Sequence, residues 1–152
     1  MTHQTGFTQS DRKAWMSTLA KAPADRLSAL LGDFGTVPEF DWLRRPEIGG
    51  VMVRGRMGAT GAPFNMGEMT VTRCSLQLKD GTVGHGYVQG RDKSKAEHAA
   101  VVDALMQGAQ GPQVRAQVVD PLASDIAAAK TARAEKAAAT KVEFFTMVRG
   151  ED

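Results

Sequence analysis

The stretch EMTVTRCSLQLKDGTVGHGYVQ, residues 68–89, decides the architecture. Successive side chains of an extended chain alternate between two faces, so Met69, Val71, Arg73, Ser75 and Gln77 fall on one side and Thr70, Thr72, Cys74, Leu76 and Leu78 on the other. Asp80-Gly81 is a two-residue hairpin signal, and 82–89 then returns as a second strand. Upstream, 40–44 and 51–56 are short β-rich runs, joined to each other through 46–50 and to the third run through 58–67. Pairing between neighbours is the simplest topology, which predicts an antiparallel meander of about four strands.

Helical patterns flank this sheet on both sides. Ser10 or Asp11 can cap a first helix that keeps Ala14, Trp15, Thr18, Leu19 and Ala22 on one face, and Pro23 opens a second over 24–31 with Leu27, Leu30 and Leu31 inward. Gly32 or Gly35 can end it, giving an N-terminal helical hairpin. After the sheet, Asp92 stands at a helix start, and Ala96, Ala99, Ala100, Val102, Leu105 and Met106 supply a buried face to about Gln107. Gly108 to Gly111 with Pro112 reads as its stop. A further helix opens at Asp120 with Pro121 in its first turn and runs through an alanine-rich stretch to about Ala139. The fold class is therefore α+β: a β-meander with an N-terminal helical hairpin, a helix after the sheet, and a C-terminal helix plus an apolar arm.

The sequence of 152 residues fits one domain, 1–152, with 1–10 expected to be flexible and 120–150 expected to form an arm against a partner. Its 19 basic and 17 acidic residues are nearly balanced and form no long basic run, so charge supports neither nucleic-acid nor membrane-surface binding. The single cysteine, Cys74, excludes an internal disulfide and any cysteine-built metal or iron–sulfur site made by this chain alone. No stretch approaches the roughly 18 apolar residues of a membrane span. A cytoplasmic location is the expectation.

Two constellations suit anions. The loop RMGATGAPFNMGE, residues 56–68, sets Arg56 and the Thr60 hydroxyl among three glycines, where backbone N–H groups can approach a phosphate closely. It lacks the ending of a phosphate-loop fingerprint, and a purely structural hairpin loop is the competing reading. Arg91 and Lys93 place two cations at a helix start, where the backbone already favours negative charge. Either Asp92 as the cap or an outside phosphate or carboxylate can answer them. His85 and His98 have no second ligand at metal-binding spacing, and Cys74 has no activating histidine. No acid–base pair, nucleophile or metal set is assembled by these residues, so no catalytic residue is assigned.

The end of the chain is unusual in having apolar residues on both faces. In an extended segment Val142, Phe144 and Val148 project to one side, Phe145 and Met147 to the other. A terminal segment of a small one-sheet domain seldom buries both faces by itself, so these five residues are expected at an interface with another chain. The alternative is a central strand of the domain's own sheet, covered by its own helices.

Three ordered blocks carry a family resemblance: RMGATGAPFNMGEMTVTRC at 56–74, GYVQGRDKSKAEHAA followed by DALMQ within 81–107, and ATKVEFFTMVRG at 139–150. Together they resemble the PhnG family, the G subunit of the bacterial carbon–phosphorus lyase core complex. The resemblance implies partner subunits of the PhnH, PhnI and PhnJ types. It also implies a complex that attaches an alkylphosphonate to the ribose C1 of ATP with release of adenine, before a radical step on an iron–sulfur cluster in another subunit. ATP is then a substrate of the complex, this chain alone binds no cofactor, and its role is accessory. The rival from another class is a free-standing protein that binds a phosphate-bearing small molecule through Arg56, Thr60, Arg91 and Lys93.

Overall fold

The computed structural model describes residues 6–142. Two helices come first, α1 (Gln9–Lys21) and α2 (Ala24–Phe34). The cap of α1 is Thr8 rather than Ser10 or Asp11. Its hydroxyl accepts from the Asp11 amide at 3.1 Å, while the Asp11 carboxylate accepts from the Thr8 amide at 2.8 Å. Asp11 is thus the return half of a capping box. Within the leading segment expected to be flexible, Phe7 packs edge-on against Trp15 with ring centroids 5.0 Å apart.

Among the described residues the sheet has three strands, β1 (Phe40–Arg56), β2 (Pro63–Leu78) and β3 (Val83–Gln89), in the antiparallel order β1-β2-β3. The two runs expected at 40–44 and 51–56 are one long strand. The residues between them do not turn back; the register against β2 slips between Trp42 and Arg44 and again between Arg44 and Glu47, leaving Leu43 and then Arg45-Pro46 as bulges. A bulge on an edge strand is where Pro46, which lacks an amide donor, is tolerated. Residues 63–67, expected within a loop, belong to β2, and the turn shrinks to a short 3-10 stretch at Met57–Ala59. The β2–β3 connection is a three-residue loop rather than a two-residue one: the Leu78 amide donates to the Thr82 carbonyl, and Gly81 adopts φ 90°. A residue at that angle is most easily a glycine.

Helix α3 (Lys93–Met106) starts at the expected cap, with Asp92 accepting from the Lys95 amide at 2.9 Å. It lies at the centre of the molecule. Ten of its residues are buried, against β2 and β3 on one side and α1, α2 and the next helical segment on the other. Pro112 does not only stop a helix; it begins one, in keeping with the preference of proline for a first turn. From Gly111 the chain is helical through α4 (Gly111–Val114), a π-helical stretch (Arg115–Val119) and α5 (Asp120–Ala139). In the wider turn the Asp120 amide donates to the Arg115 carbonyl, immediately before Pro121, whose ring would clash with a regular preceding turn. The core joins Trp15, Leu19, Leu27 and Leu31 to Cys74, Leu76, Val88, the α3 face, Val114, Val118 and Leu122. Each of the buried leucines and valines contributes roughly 1.5–3 kcal/mol by leaving water.

Candidate functional site

Strand β3 and helix α3 lie unusually close, and glycine is the reason. A methyl group at Gly84 would collide with the Ala100 carbonyl oxygen, and one at Gly86 with the Ala96 carbonyl oxygen. The motif Gly84-His85-Gly86 is therefore a packing device, matched by the small residues Ala96, Ala100 and Ala104 of α3. Close approach also lets α3 reach the free edge of β3. The carboxylate of Asp103, fully buried, accepts from the His85 amide at 2.9 Å, from the Trp15 indole at 2.8 Å, and from Arg12 Nη2 at 2.7 Å. Gln107 Nε2 donates to the Val83 carbonyl at 2.9 Å. Two outward groups of β3, the His85 amide and the Val83 carbonyl, which would otherwise be open to another strand, are thereby taken by side chains.

Other buried polar groups are similarly committed. Lys95 Nζ donates to the Ala20 carbonyl at the end of α1, at 3.0 Å, and burial lowers its pKa against the opposing pull of Asp92. Cys74 Sγ lies 3.1 Å from the Ala96 carbonyl, and burial pushes the thiol up to about 11. A thiol held protonated is no nucleophile. No buried side-chain nitrogen or oxygen lacks a partner among the described residues, and no group of acidic, histidine or cysteine residues there could hold a metal ion.

The anion candidates fall into two separate places. Arg56 Nη1 donates to the Gly61 carbonyl at 3.0 Å and Thr60 Oγ1 lies 3.5 Å from the Gly58 carbonyl, so both brace the tip of the β1–β2 turn. Arg91 and Lys93 are exposed beside the start of α3. The Gly90 amide donates to the Thr70 carbonyl, whereas Arg56 pairs with Pro63. Seven residues of strand separate Thr70 from Pro63, a distance of roughly 20 Å at the rise of an extended chain. The two pairs do not form one pocket.

Uncovered surface is concentrated in two projections. β3 pairs with β2 only between Val71 and Gln77, so 50–56 and 63–70 continue alone as a two-stranded ribbon. On it Met52, Met57, Phe64 and Met66 are exposed, Met57 to 78%. Reading 58–67 as a loop conceals this surface; the signal is the pair of large apolar residues Phe64 and Met66 inside that stretch, Phe64 lying opposite Gly55 of β1. The second projection is α5, in which Leu122 is buried and every residue from 127 to 139 is exposed. Of the expected interface residues, Val142 is described and exposed, while Phe144, Phe145, Met147 and Val148 lie outside the described residues. No described helix is long and apolar enough to cross a membrane.

Comparison with known proteins gives a concordant family. The model of the phosphonate metabolism protein PhnG family matches residues 10–150. A relative from Rhizobium meliloti (strain 1021), the PhnG subunit of alpha-D-ribose 1-methylphosphonate 5-triphosphate synthase, is 43% identical over 143 residues, covering 94% of this chain and 92% of the relative.

Proposed function

The chain belongs to the PhnG family of phosphonate metabolism proteins, and on that premise we propose that it is an accessory subunit of a synthase that transfers an alkylphosphonate to the ribose C1 of ATP with release of adenine. The observation that carries the assembly role is the uncovered pair of projections, the ribbon and α5. A two-stranded ribbon is marginal in water by itself, and an alanine-rich helix that buries only its first turns gains little from its own domain. Both are accounted for when another chain covers them. The partners are of the PhnH, PhnI and PhnJ types, in a cytoplasmic complex, and the segment from Val142 through Phe144, Phe145, Met147 and Val148 extends the same contact. In this reading Arg56, Thr60, Arg91 and Lys93 meet an acidic partner surface or a phosphate-bearing ligand, and unchanged assembly and kinetics in both Arg56→Ala and Arg91→Ala would remove them.

The test is affinity purification of the tagged chain from cells grown on methylphosphonate. Stoichiometric copurification of other subunits is expected, with adenine release from ATP and methylphosphonate in the complex and none by the chain alone. A chain recovered by itself, monomeric and binding a small molecule, would favour the free-standing alternative. Adenine release by the isolated chain would overturn the accessory role.

A further inference from the structure

The face of the sheet opposite α3 carries a grid of polar side chains that the subunit role leaves unused. Thr72, Cys74 and Leu76 of β2 point to α3, so Arg73 and Ser75 point away from it. Cross-strand neighbours share a face, and the register sets Arg44, Ser75 and His85 in one row and Glu47, Arg73 and Tyr87 in the next. A cavity of about 470 Å³ opens over Arg44, Arg73, Ser75, His85 and Tyr87, with Met16 of α1 at its margin.

The electrostatics of this grid are one-sided. Arg44 and Arg73 converge on a single oxygen, Oε2 of Glu47, each at 3.4 Å. That is long for a charge-assisted contact, which ordinarily falls at 2.7–2.9 Å, and it occupies one of the five N–H donors of each guanidinium. All three side chains are about half exposed, so the triad adds little stability. Around it stand further donors. Ser75 Oγ lies 2.9 Å from His85 Nδ1; a hydroxyl that donates there leaves the ring proton on Nε2, available to a guest. Tyr87, 45% exposed, adds a phenol and an aromatic ring.

We infer that this face binds an organic phosphate or phosphonate anion, its oxyanion held between Arg44 and Arg73 where Glu47 Oε2 now sits, and its organic part laid against Tyr87 and Met16. Two guanidinium groups already sharing one anionic oxygen are arranged for a tetrahedral oxyanion, which offers several oxygens where the carboxylate offers one. The cavity is larger than an inorganic anion requires, and its Met16–Tyr87 side suits carbon. All of these residues belong to one chain, so the site is independent of the assembly proposed above.

Calorimetric titration of the full chain, alone or within the purified complex, tests this with phenyl phosphate and inorganic orthophosphate as probes. Phenyl phosphate is expected to bind saturably and at least several-fold more tightly than orthophosphate, and Tyr87→Ala should erase that preference. Arg44→Gln with Arg73→Gln should weaken phenyl phosphate at least tenfold, with the fold checked by circular dichroism. Glu47→Gln should tighten it several-fold, because the competing carboxylate charge is gone; a merely structural ion triad gives no such gain. Absence of saturable binding in both the wild type and Glu47→Gln overturns the inference. So does binding unmoved by the double arginine change in a folded protein, or equal affinity for the two probes.

Discussion

The indole N–H of Trp15 donates to the carboxylate of Asp103 at 2.8 Å, joining the first helix to the central one across 88 positions of sequence. Arg12 and the edge amide of His85 meet the same carboxylate, so one side chain ties α1, α3 and β3 together. Removing one partner of a buried charge pair leaves the other uncompensated. Asp103→Ala is expected to lower the free energy of unfolding by about 3–5 kcal/mol, measured by urea denaturation. Asp103→Asn should cost less, since its amide oxygen can still accept from Trp15. A loss for Asp103→Ala within about 0.5 kcal/mol, the range of an ordinary surface change, would contradict the hub.

The close approach of β3 to α3 makes a second, sharper expectation. Gly86→Ala drives a methyl into the Ala96 carbonyl, a backbone atom that cannot move alone. Overpacking of this kind costs about 1–3 kcal/mol or more. Gly49→Ala on β1, where an added methyl meets nothing within 4 Å, is the control and should leave the melting temperature nearly unchanged. Equal melting temperatures for the two variants would refute the packing role of the β3 glycines.

Cys74 predicts a pH dependence. Its thiol is raised from 9.0 to about 11 by burial, so between those values the unfolded chain has lost a proton that the folded chain keeps. The unfolded state then binds fewer protons, and stability falls as pH rises through the window, by up to about 1.4 kcal/mol per pH unit. Below pH 9 the contribution is fully present. In Cys74→Ala the slope contributed by this thiol should vanish, and alkylation of the native protein at pH 8 should be slow until denaturant is added. Rapid modification of the folded chain would count against the buried thiol.

The ribbon separates assembly from folding. Met52→Glu and Phe64→Glu alter exposed positions on a two-stranded projection, so the isolated chain should keep its stability within about 0.5 kcal/mol. Recovery of partner subunits should fall at least roughly tenfold, the cost of losing one interface anchor. Replacing Phe144 and Phe145 with Ser should act in the same direction, with complex lost and the chain still folded. Unfolding of the chain itself would point instead to internal cover of that segment.

How much of this was legible depended on where punctuation and periodicity agree. α3 was readable because Asp92 supplies a cap and the apolar face keeps its spacing to Met106, and β2 with β3 because alternation ends on Asp80-Gly81. Pro46, Pro63 and Gly67 misled, since such residues mark turns in ordinary strands but are tolerated at bulges and on an unpaired ribbon. Pro112 reads as a helix stop but occupies a helix start. Asp103 has a signal outside the usual motifs: an acid inside Val101-Val102-Asp103-Ala104-Leu105 announces a buried carboxylate that must have partners. The open-face grid could not be seen without the two bulges of β1, which decide that Arg44 rather than Arg45 stands beside Ser75.

The partly occupied margin of β3 has an opposite in β1, which among the described residues pairs with no other strand beyond β2. Two copies meeting through their β1 margins would form a pair related by a twofold axis, and a different chain docking there would cap the same margin. A chain that takes the β1 margin denies it to a second copy, so self-pairing and foreign docking through this edge exclude one another.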